Sequence, residues 1–179
     1  MVNLYQRYYW VIENRLLAGC YPGALDSELA EKQLSGLLNA GIRHVINLME
    51  PHEKTWYGRA LIPYRDQLRL LSKQVECTVS FERQPIRDLS VPTPGQMRVI
   101  LDHIDDSLSL ERPVYVHCLG GIGRTGTVVG CYLIRHGLAT GENVLERLKQ
   151  LRSNYADRHR RSPETDEQLG FVKTWEPGE

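Results

Sequence analysis

One short segment holds most of the side chains that could carry out a reaction. Residues 116–126 read VHCLGGIGRTG, with a nucleophilic thiol at Cys118 and a guanidinium at Arg124. Glycines in the turn between them allow positive φ values and point successive N–H groups inward, which forms a nest for an anion. We therefore predict that this turn, the phosphate loop, binds a phosphate-sized dianion. The phosphate loop consists of Cys118, Leu119, Gly120, Gly121, Ile122, Gly123 and Arg124.

The chemistry that fits this loop is attack on phosphorus by a thiolate. A free cysteine is mostly protonated at pH 7, and the positive end of a helix together with nearby cations increases its thiolate fraction. An apolar helix is predicted directly after the loop, so Cys118 would lie at such a positive end. The planar guanidinium of Arg124 can bind two phosphate oxygens at once and stabilise the oxygens of a transferring phosphoryl group.

The spacing of cysteine and arginine is not specific by itself. The same spacing recurs at Cys77 and Arg83, where the intervening residues include an acid and β-branched side chains but no glycine. That second copy lies in a predicted strand, so we interpret it as accidental. The longer pattern His-Cys-x-x-Gly-x-Gly-Arg-Thr-Gly, which begins at His117, is much more specific.

At these residues the chain resembles the cysteine-dependent protein phosphatases, most closely the small, single-domain, dual-specificity-like members. A looser similarity extends from Leu16-Leu-Ala-Gly19 through Pro85-Ile-Arg-Asp88 to residues 162–168, SPETDEQ. The resemblance implies that the Cys118 thiolate attacks phosphorus and that water then hydrolyses the cysteinyl-phosphate. It also implies that no metal and no other cofactor takes part.

The leaving oxygen needs a proton from a neutral acid beside the thiol, and Asp88 is the candidate. It ends one predicted strand and Cys118 follows the next, so a right-handed crossover helix would put both at one edge of the sheet. The family's mobile acid loop occupies this place, although Ile86-Arg87-Asp88 stands where larger tyrosine phosphatases have Trp-Pro-Asp. The alternative is that Asp88 only caps a turn. Other acids are predicted to be solvated on a helix, namely Asp102, Asp105 and Asp106.

Three further roles come from the resemblance. Thr125 would donate its hydroxyl to the sulfur when the sulfur leaves phosphorus. His117 would hold the loop through backbone hydrogen bonds rather than act in catalysis. Gln168 matches a late glutamine of the family that orients the hydrolytic water, and the alternative is a polar residue on the exposed face of the last helix.

The composition is that of a protein that folds alone, and the resemblance implies a single dual-specificity-like phosphatase domain over residues 1–179. Apolar residues make up 41% and charged residues 25% of the chain, which excludes collagen-like, coiled-coil and wholly disordered proteins. The 22 basic and 22 acidic residues balance, so overall charge attracts neither nucleic acid nor an anionic membrane.

No apolar run reaches the ~18 residues of a membrane span, and the chain lacks a signal-peptide pattern and a disulfide framework. We expect a cytosolic monomer with free thiols, and a phosphorylated protein or peptide as its partner.

Short apolar runs alternate with helical periodicity, which predicts an α/β fold with a largely parallel central sheet and helices on both faces. The predicted strands are Trp10–Ile12, Leu16–Ala18, Ile42–Met49, Val79–Ile86 and Val114–Val116. The predicted helices run from an Asp26 N-cap to Gly41, over Leu61–Val75, from a capping box at Thr93 to Leu108, and through residues 128–134 and 144–151. The last helix is predicted to be capped by Ser162-Pro163 and to carry Leu169, Val172 and Trp175.

Three other features have a structural interpretation beside a functional one. The basic cluster, residues 158–161 (RHRR), is either a solvated loop, which we favour, or a second anion subsite. Cys131 is expected to be a buried inert thiol, and the alternative is a disulfide with oxidised Cys118. The aromatic residues near the start of the chain are expected to pack rather than to recognise a ligand, namely Tyr5, Tyr8, Tyr9 and Trp10.

The residues favour hydrolysis of phosphate monoesters on proteins, at phosphotyrosine and, as further substrates, phosphoserine or phosphothreonine. The alternatives are a phosphatase of an inositol phosphate or phosphoinositide, a phosphate-binding module without catalysis, and a rhodanese-type sulfurtransferase. The phosphate loop lacks the lysine that phosphoinositide phosphatases commonly place there. Rhodanese-type loops are usually shorter or lack the Gly-Arg-Thr-Gly ending that this loop has.

Overall fold

A five-stranded mixed sheet forms the centre of the molecule in the computed structural model, which describes residues 7–55 and 57–179. The strands are β1 (Tyr8–Ile12), β2 (Leu16–Gly19), β3 (His44–Asn47), β4 (Ser80–Arg83) and β5 (Val114–His117). Their order across the sheet is β1-β2-β5-β3-β4. β1 is antiparallel to β2 and all other pairs are parallel, which confirms the predicted α/β fold with a largely parallel sheet.

Six helices in the described residues connect and cover the strands. They are α1 (Ser27–Asn39), α2 (Arg65–Gln74), α3 (Pro94–Ser109), α4 (Gly123–Arg135), α5 (Val144–Leu151) and α6 (Asp166–Lys173). α1 and α2 lie on one face of the sheet, and the other four lie on the opposite face. Alternate strand residues serve the two faces, as when Tyr115 packs toward α1 and α2 while Val114 and Val116 pack toward α3 and α4.

The parallel register brings the ends of the strands together at one edge. Gly19 and Asn47 both lie opposite His117, the last residue of β5, and Arg83 lies opposite Asn47. The segments that leave β2, β3, β4 and β5 therefore begin at the same level. In such sheets this carboxyl edge is where functional loops gather.

Three elements are shorter than predicted. In β3, Ile42 donates to the Leu37 carbonyl beyond the end of α1 rather than pairing in the sheet, and the Met49 N–H bonds to the Asn47 side chain. Pro85 follows β4 and cannot donate to a ladder. α2 begins after Pro63 rather than at Leu61, because the residue before a proline disfavours helical geometry.

The predicted cap of the last helix is wrong. α6 begins at Asp166, and Thr165 caps it in a reciprocal capping box with Gln168. Ser162 instead donates its hydroxyl to the Ile122 carbonyl, and Trp175 lies beyond the end of the helix. The pattern Thr-x-x-Gln was the better start signal, since it satisfies two backbone N–H groups at once.

Two other helix starts agree with the sequence. Asp26 caps α1, and Thr93 caps α3 with Pro94 at the first position. The predicted capping box at Thr93 is wrong, because the Gln96 side chain donates to the Pro85 carbonyl rather than accepting from the Thr93 N–H. Tyr8, Tyr9 and Trp10 pack against the two hydrophobic cores, as predicted. Tyr5 lies outside the described residues.

Candidate active site

The phosphate loop joins the end of β5 to the start of α4 and lines a cavity of about 120 Å³. Cys118 lies at its base with only 3% of its surface exposed, and the Gly121 N–H donates to its sulfur over 3.3 Å. The N-terminus of α4 faces the same space, which favours an anion there. The lining residues are Asp88, Leu89, Cys118, Leu119, Gly120, Ile122, Gly123, Arg124, Glu164 and Gln168.

Gly121 is required by the path of the loop. Its φ is +70°, in the left-handed region that glycine adopts without strain. A Cβ at this position would lie 2.5 Å from the carbonyl carbon of Gly19, so the loop packs directly on the end of β2. The backbone thus approaches β2 more closely than any side chain would permit.

Arg124 is held from three sides. Its Nη1 donates to Glu53 Oε1 at 2.5 Å and to the Ile86 carbonyl at 3.1 Å, and its Nη2 lies 3.0 Å from Glu53 Oε2 and 3.0 Å from Asp88 Oδ1. Burial lowers the pKa of Arg124, but the hydrogen bond to Glu53 and the charges of Cys118, Glu53 and Asp88 outweigh that effect, so its pKa lies above the ordinary value. The buried Nε–H has no partner in the described part of the chain. That N–H is a donor for an incoming oxyanion.

Asp88 reaches the same cavity from the segment after β4. It is about half exposed, and its carboxylate contacts Arg124. The next residue, Leu89, has a φ of +61° and an exposed side chain. The structure therefore brings the predicted acid and the predicted nucleophile together at one edge of the sheet.

His117 lies beneath the loop and is completely buried. Its Nδ1 is 3.1 Å from the Cys118 carbonyl, which can only accept, so Nδ1 carries the proton and Nε2 accepts from the Tyr64 hydroxyl at 2.6 Å. Burial lowers the pKa of His117 to about 3. A neutral imidazole in this position binds the backbone of the loop.

Thr125 and Gln168 make contacts other than those expected of them. The Thr125 hydroxyl donates to the Gly19 carbonyl at 3.4 Å, and a bond to the Cys118 sulfur stays a prediction. Gln168 lines the cavity and is fully buried, so the alternative of an exposed position is wrong. Its Oε1 accepts from the N–H groups of Glu164 and Thr165, and its Nε2 donates to the Ser90 carbonyl at 3.0 Å.

Comparison with known families agrees with this geometry. The model of the DSP-PTPase phosphatase of polymorphic toxin systems matches residues 23–138. The chain belongs to the DSP-PTPase phosphatase family.

Two curated relatives and a solved structure extend this finding. Protein tyrosine phosphatase domain-containing protein 1 of Mus musculus is 32% identical over 81% of this chain and 19% of that protein. Phosphatidylglycerophosphate phosphatase PTPMT2 of Arabidopsis thaliana is 30% identical over 82% of this chain and 56% of that protein. The chain thus spans 19% and 56% of the lengths of these relatives. A crystal structure of Tk-PTP shares the fold with a TM-score of 0.68 and 22% identity, over 96% of this chain and 95% of that one.

Three residues of this phosphatase support the site without a signal in the sequence. Glu53 clamps Arg124 from the segment after β3, and Tyr64 binds His117. Tyr155, from the segment after α5, donates its hydroxyl to the Gly120 carbonyl at 2.8 Å. Only Glu53 could have been suspected, as an acid following a strand that ends at the same edge.

The basic cluster of the phosphatase is tied to neighbouring acids. Arg160 pairs with Glu164, and Arg161 Nη1 lies 2.8 Å from Asp166 Oδ1. Arg158 and His159 are exposed. These contacts fit the favoured interpretation of a solvated loop better than that of an anion subsite.

Two other cysteines, Cys131 and Cys77, lie apart from the chemistry proposed for Cys118. Burial raises the pKa of Cys131, which is fully enclosed in α4. Cys77 lies before β4 and Arg83 ends it, so the second Cys-x5-Arg spacing is stretched along a strand and forms no loop.

In the described ranges, no group of three or more metal-ligating side chains is placed to share an ion. None of the helices over residues 7–55 and 57–179 is long and apolar enough to cross a bilayer.

Proposed function

We propose that the phosphatase removes phosphate from phosphotyrosine in proteins, with phosphoserine and phosphothreonine as further substrates. The observation that carries the proposal is that Cys118, Arg124 and Asp88 all line the cavity of about 120 Å³ formed by the phosphate loop. A thiol, a fixed guanidinium and a carboxyl group around one anion site are the parts needed for phosphoryl transfer through sulfur. We also propose, from the sequence, a cytosolic monomer.

Substrate binding would use the backbone and Arg124. Loop N–H groups and the N-terminus of α4 face the phosphate, and the unpartnered Nε–H of Arg124 offers a further donor. Glu53 fixes the guanidinium plane through two hydrogen bonds, so little reorganisation is needed when the anion enters. Asp88 would leave its contact with Arg124 as the phosphate takes that position.

The first chemical step is in-line displacement at phosphorus. A sulfur lone pair of the Cys118 thiolate forms the S–P bond while the bond from phosphorus to the leaving oxygen breaks. Protonated Asp88 gives its proton to that oxygen, which departs as the free tyrosine or serine hydroxyl. The phosphate remains on sulfur as a cysteinyl-phosphate.

The second step reverses these roles. Water attacks phosphorus, Asp88 accepts a proton from it, and the S–P bond breaks to return the thiolate and release inorganic phosphate. Gln168 would orient the water, and Thr125 would donate to the departing sulfur. Both roles require these side chains to exchange their present backbone partners, Ser90 and Gly19.

A lipid substrate is the second candidate, favoured by the similarity to a protein named phosphatidylglycerophosphate phosphatase. The phosphate loop offers no cation between Cys118 and Arg124 for an additional phosphate group. A substrate panel decides between the candidates. We expect higher kcat/KM on phosphotyrosyl peptides than on phosphatidylglycerophosphate, phosphatidylinositol phosphates or soluble inositol phosphates, and the reverse order would replace the protein by the lipid or inositol assignment.

The mechanism is tested with variants at the two reacting positions. Cys118→Ser should abolish turnover of para-nitrophenyl phosphate, and Asp88→Ala should lower kcat for a phosphotyrosyl peptide, whose leaving group needs a proton, by about 100-fold or more and prolong substrate binding. Normal turnover by the serine variant would refute the proposal. Binding of phosphopeptide without turnover by the unmodified protein would instead identify a phosphate-binding module.

A further inference from the structure

Tyr155 touches the phosphate loop from outside the cavity. Its hydroxyl donates to the Gly120 carbonyl at 2.8 Å, and only 2% of its surface is exposed. The ring is fixed on two sides, by an edge contact with Tyr9 at 5.7 Å and by the Arg152 guanidinium 5.1 Å from its centre. Arg152 is itself held by the carbonyls of Asp157 and Arg160. The hydroxyl therefore occupies a defined position.

The carbonyl that Tyr155 binds belongs to the peptide unit that contacts the nucleophile. In a trans peptide, the C=O of one residue and the N–H of the next point in opposite directions. The Gly120 carbonyl points outward to Tyr155, and the Gly121 N–H points inward to the Cys118 sulfur at 3.3 Å. One peptide plane thus links the tyrosine hydroxyl to the thiol.

Without an outer partner, this peptide would have little to fix its orientation. Gly120 and Gly121 both lack a Cβ, so the plane between them can rotate at low cost. Burial raises the pKa of Tyr155, so the hydroxyl keeps its proton and remains a donor at any working pH. A donor outside the loop holds the carbonyl outward and the N–H inward.

We propose that Tyr155 is a positioning residue that sets the thiolate fraction of Cys118 by fixing the Gly120–Gly121 peptide plane. An N–H aimed at sulfur favours the anion over the thiol. The proposal rests on the proposed role of Cys118 as the nucleophile. It assigns to Tyr155 no contact with substrate.

The test compares Tyr155→Phe with Tyr9→Phe. Tyr9 packs against the same ring, but its buried hydroxyl has no partner among the described residues, so its removal is a matched control. Alkylation of Cys118 by iodoacetamide, followed by mass spectrometry of the peptide that contains it, measures the thiolate without any substrate. We expect Tyr155→Phe to slow alkylation about threefold at pH 6.0 and to leave it unchanged at pH 9.5.

Catalysis supplies the second measurement. The kcat/KM of Tyr155→Phe should fall about fivefold, the effect of one neutral hydrogen bond, while Tyr9→Phe retains the wild-type value. Alkylation rates equal to wild type at both pH values, or equal losses in both variants, would overturn the proposal. If the unmodified protein turns over no phosphate ester but the alkylation difference is present, the proposed function fails and the positioning role stands.

Discussion

Glu164 adds a second carboxylate to the lining of the phosphate cavity, beside the proposed acid Asp88 in the same lining. Its Oε2 lies 3.3 Å from the position that a Cβ of Gly123 would occupy, and its other oxygen pairs with Arg160. About one third of the side chain is exposed. Apart from Arg124, none of the described residues lining the cavity is a cation. The carboxylates of Asp88 and Glu164, each paired with an arginine, are therefore the negative charges nearest to a group that flanks a bound phosphate.

We expect Glu164→Gln to change the preference among flanking charges. The variant removes one negative charge and releases Arg160. Partly screened charges several ångströms apart interact by about 1 kcal/mol, which corresponds to about fivefold in relative kcat/KM. We would measure this preference with two phosphotyrosyl peptides, one with lysine and one with aspartate beside the phosphotyrosine. The wild type should favour the lysine peptide, and the ratio of kcat/KM values should fall about fivefold in the variant.

Glu167→Gln is the control, because Glu167 carries the same charge at an exposed position on α6 and does not line the cavity. It should keep the wild-type ratio. An unchanged ratio in Glu164→Gln would show that the Glu164 carboxylate does not select substrates.

Among the individual site residues, those within one continuous motif could be predicted from the sequence. Cys118 and Arg124 are six positions apart and flank a glycine turn, so their meeting follows from local geometry. Glu53 and Tyr155 reach the same loop from segments that follow β3 and α5. Tyr155 has no signal near it in the chain, and Glu53 has only its place after a strand that ends at the same edge, since both contacts depend on how distant segments pack.

The element that carries Asp88 is tethered to the N-terminus of α6. Thr165, the N-cap of that helix, donates its hydroxyl to the Leu89 carbonyl at 3.3 Å, and Gln168 donates to the Ser90 carbonyl at 3.0 Å. The acceptors are the first and second residues after Asp88. The capping box thus holds the segment of the proposed acid next to the phosphate loop.

Loosening this tether should impair proton donation more than phosphate binding. We expect Thr165→Val to lower kcat/KM for phenyl phosphate, whose leaving group needs a proton, by about fivefold, because one hydrogen bond is worth about 1 kcal/mol. The effect on kcat/KM for para-nitrophenyl phosphate, whose leaving group depends less on the proton, should stay below about twofold. The ratio of the two kcat/KM values, which report the steps up to release of the leaving group, is the measurement.

Two controls separate the tether from helix stability. Thr165→Ser keeps the hydroxyl and should keep the wild-type ratio. Asp26→Ala removes the N-cap of α1 on the opposite face, at a similar cost of about 1 kcal/mol in stability, and should also keep it. Equal losses on both substrates in Thr165→Val would show that the tether does not position the acid.

Element types and their order were predictable because periodicity and caps are local, as at Thr93 and Asp26. The ends of β3 and of the last helix were not. The Met49 N–H donates to the Asn47 side chain rather than to a neighbouring strand, and the Ser162 hydroxyl donates to the Ile122 carbonyl in the phosphate loop. These contacts compete with the local pattern and depend on the folded arrangement.

At the scale of the whole molecule, the site is built on a buried histidine that the fold keeps neutral. His117 ends the central strand β5, stacks on Tyr115 at 5.4 Å, and contacts Tyr64 from α2's N-terminal boundary. Burial is the main cause that lowers its folded pKa to about 3; the hydrogen bond to the Cys118 carbonyl opposes this effect, and the charges of Arg83 and Arg124 add to it. The same residue therefore links the stability of the sheet to the position of the phosphate loop.

This arrangement makes the free energy of unfolding depend on pH. The unfolded chain has an ordinary imidazole with a pKa of about 6.5, whereas the folded chain does not bind the proton until about pH 3. Between these values the unfolded state binds more protons, so stability is greatest above about pH 6.5 and falls by about 1.4 kcal/mol per unit as the pH decreases. Urea unfolding should show a loss of about 2 kcal/mol from His117 between pH 7.5 and pH 5.0. His117→Gln should lack that part of the loss, and the exposed His159→Gln should retain it. An identical pH dependence in His117→Gln and wild type would show that the imidazole takes up its proton without unfolding.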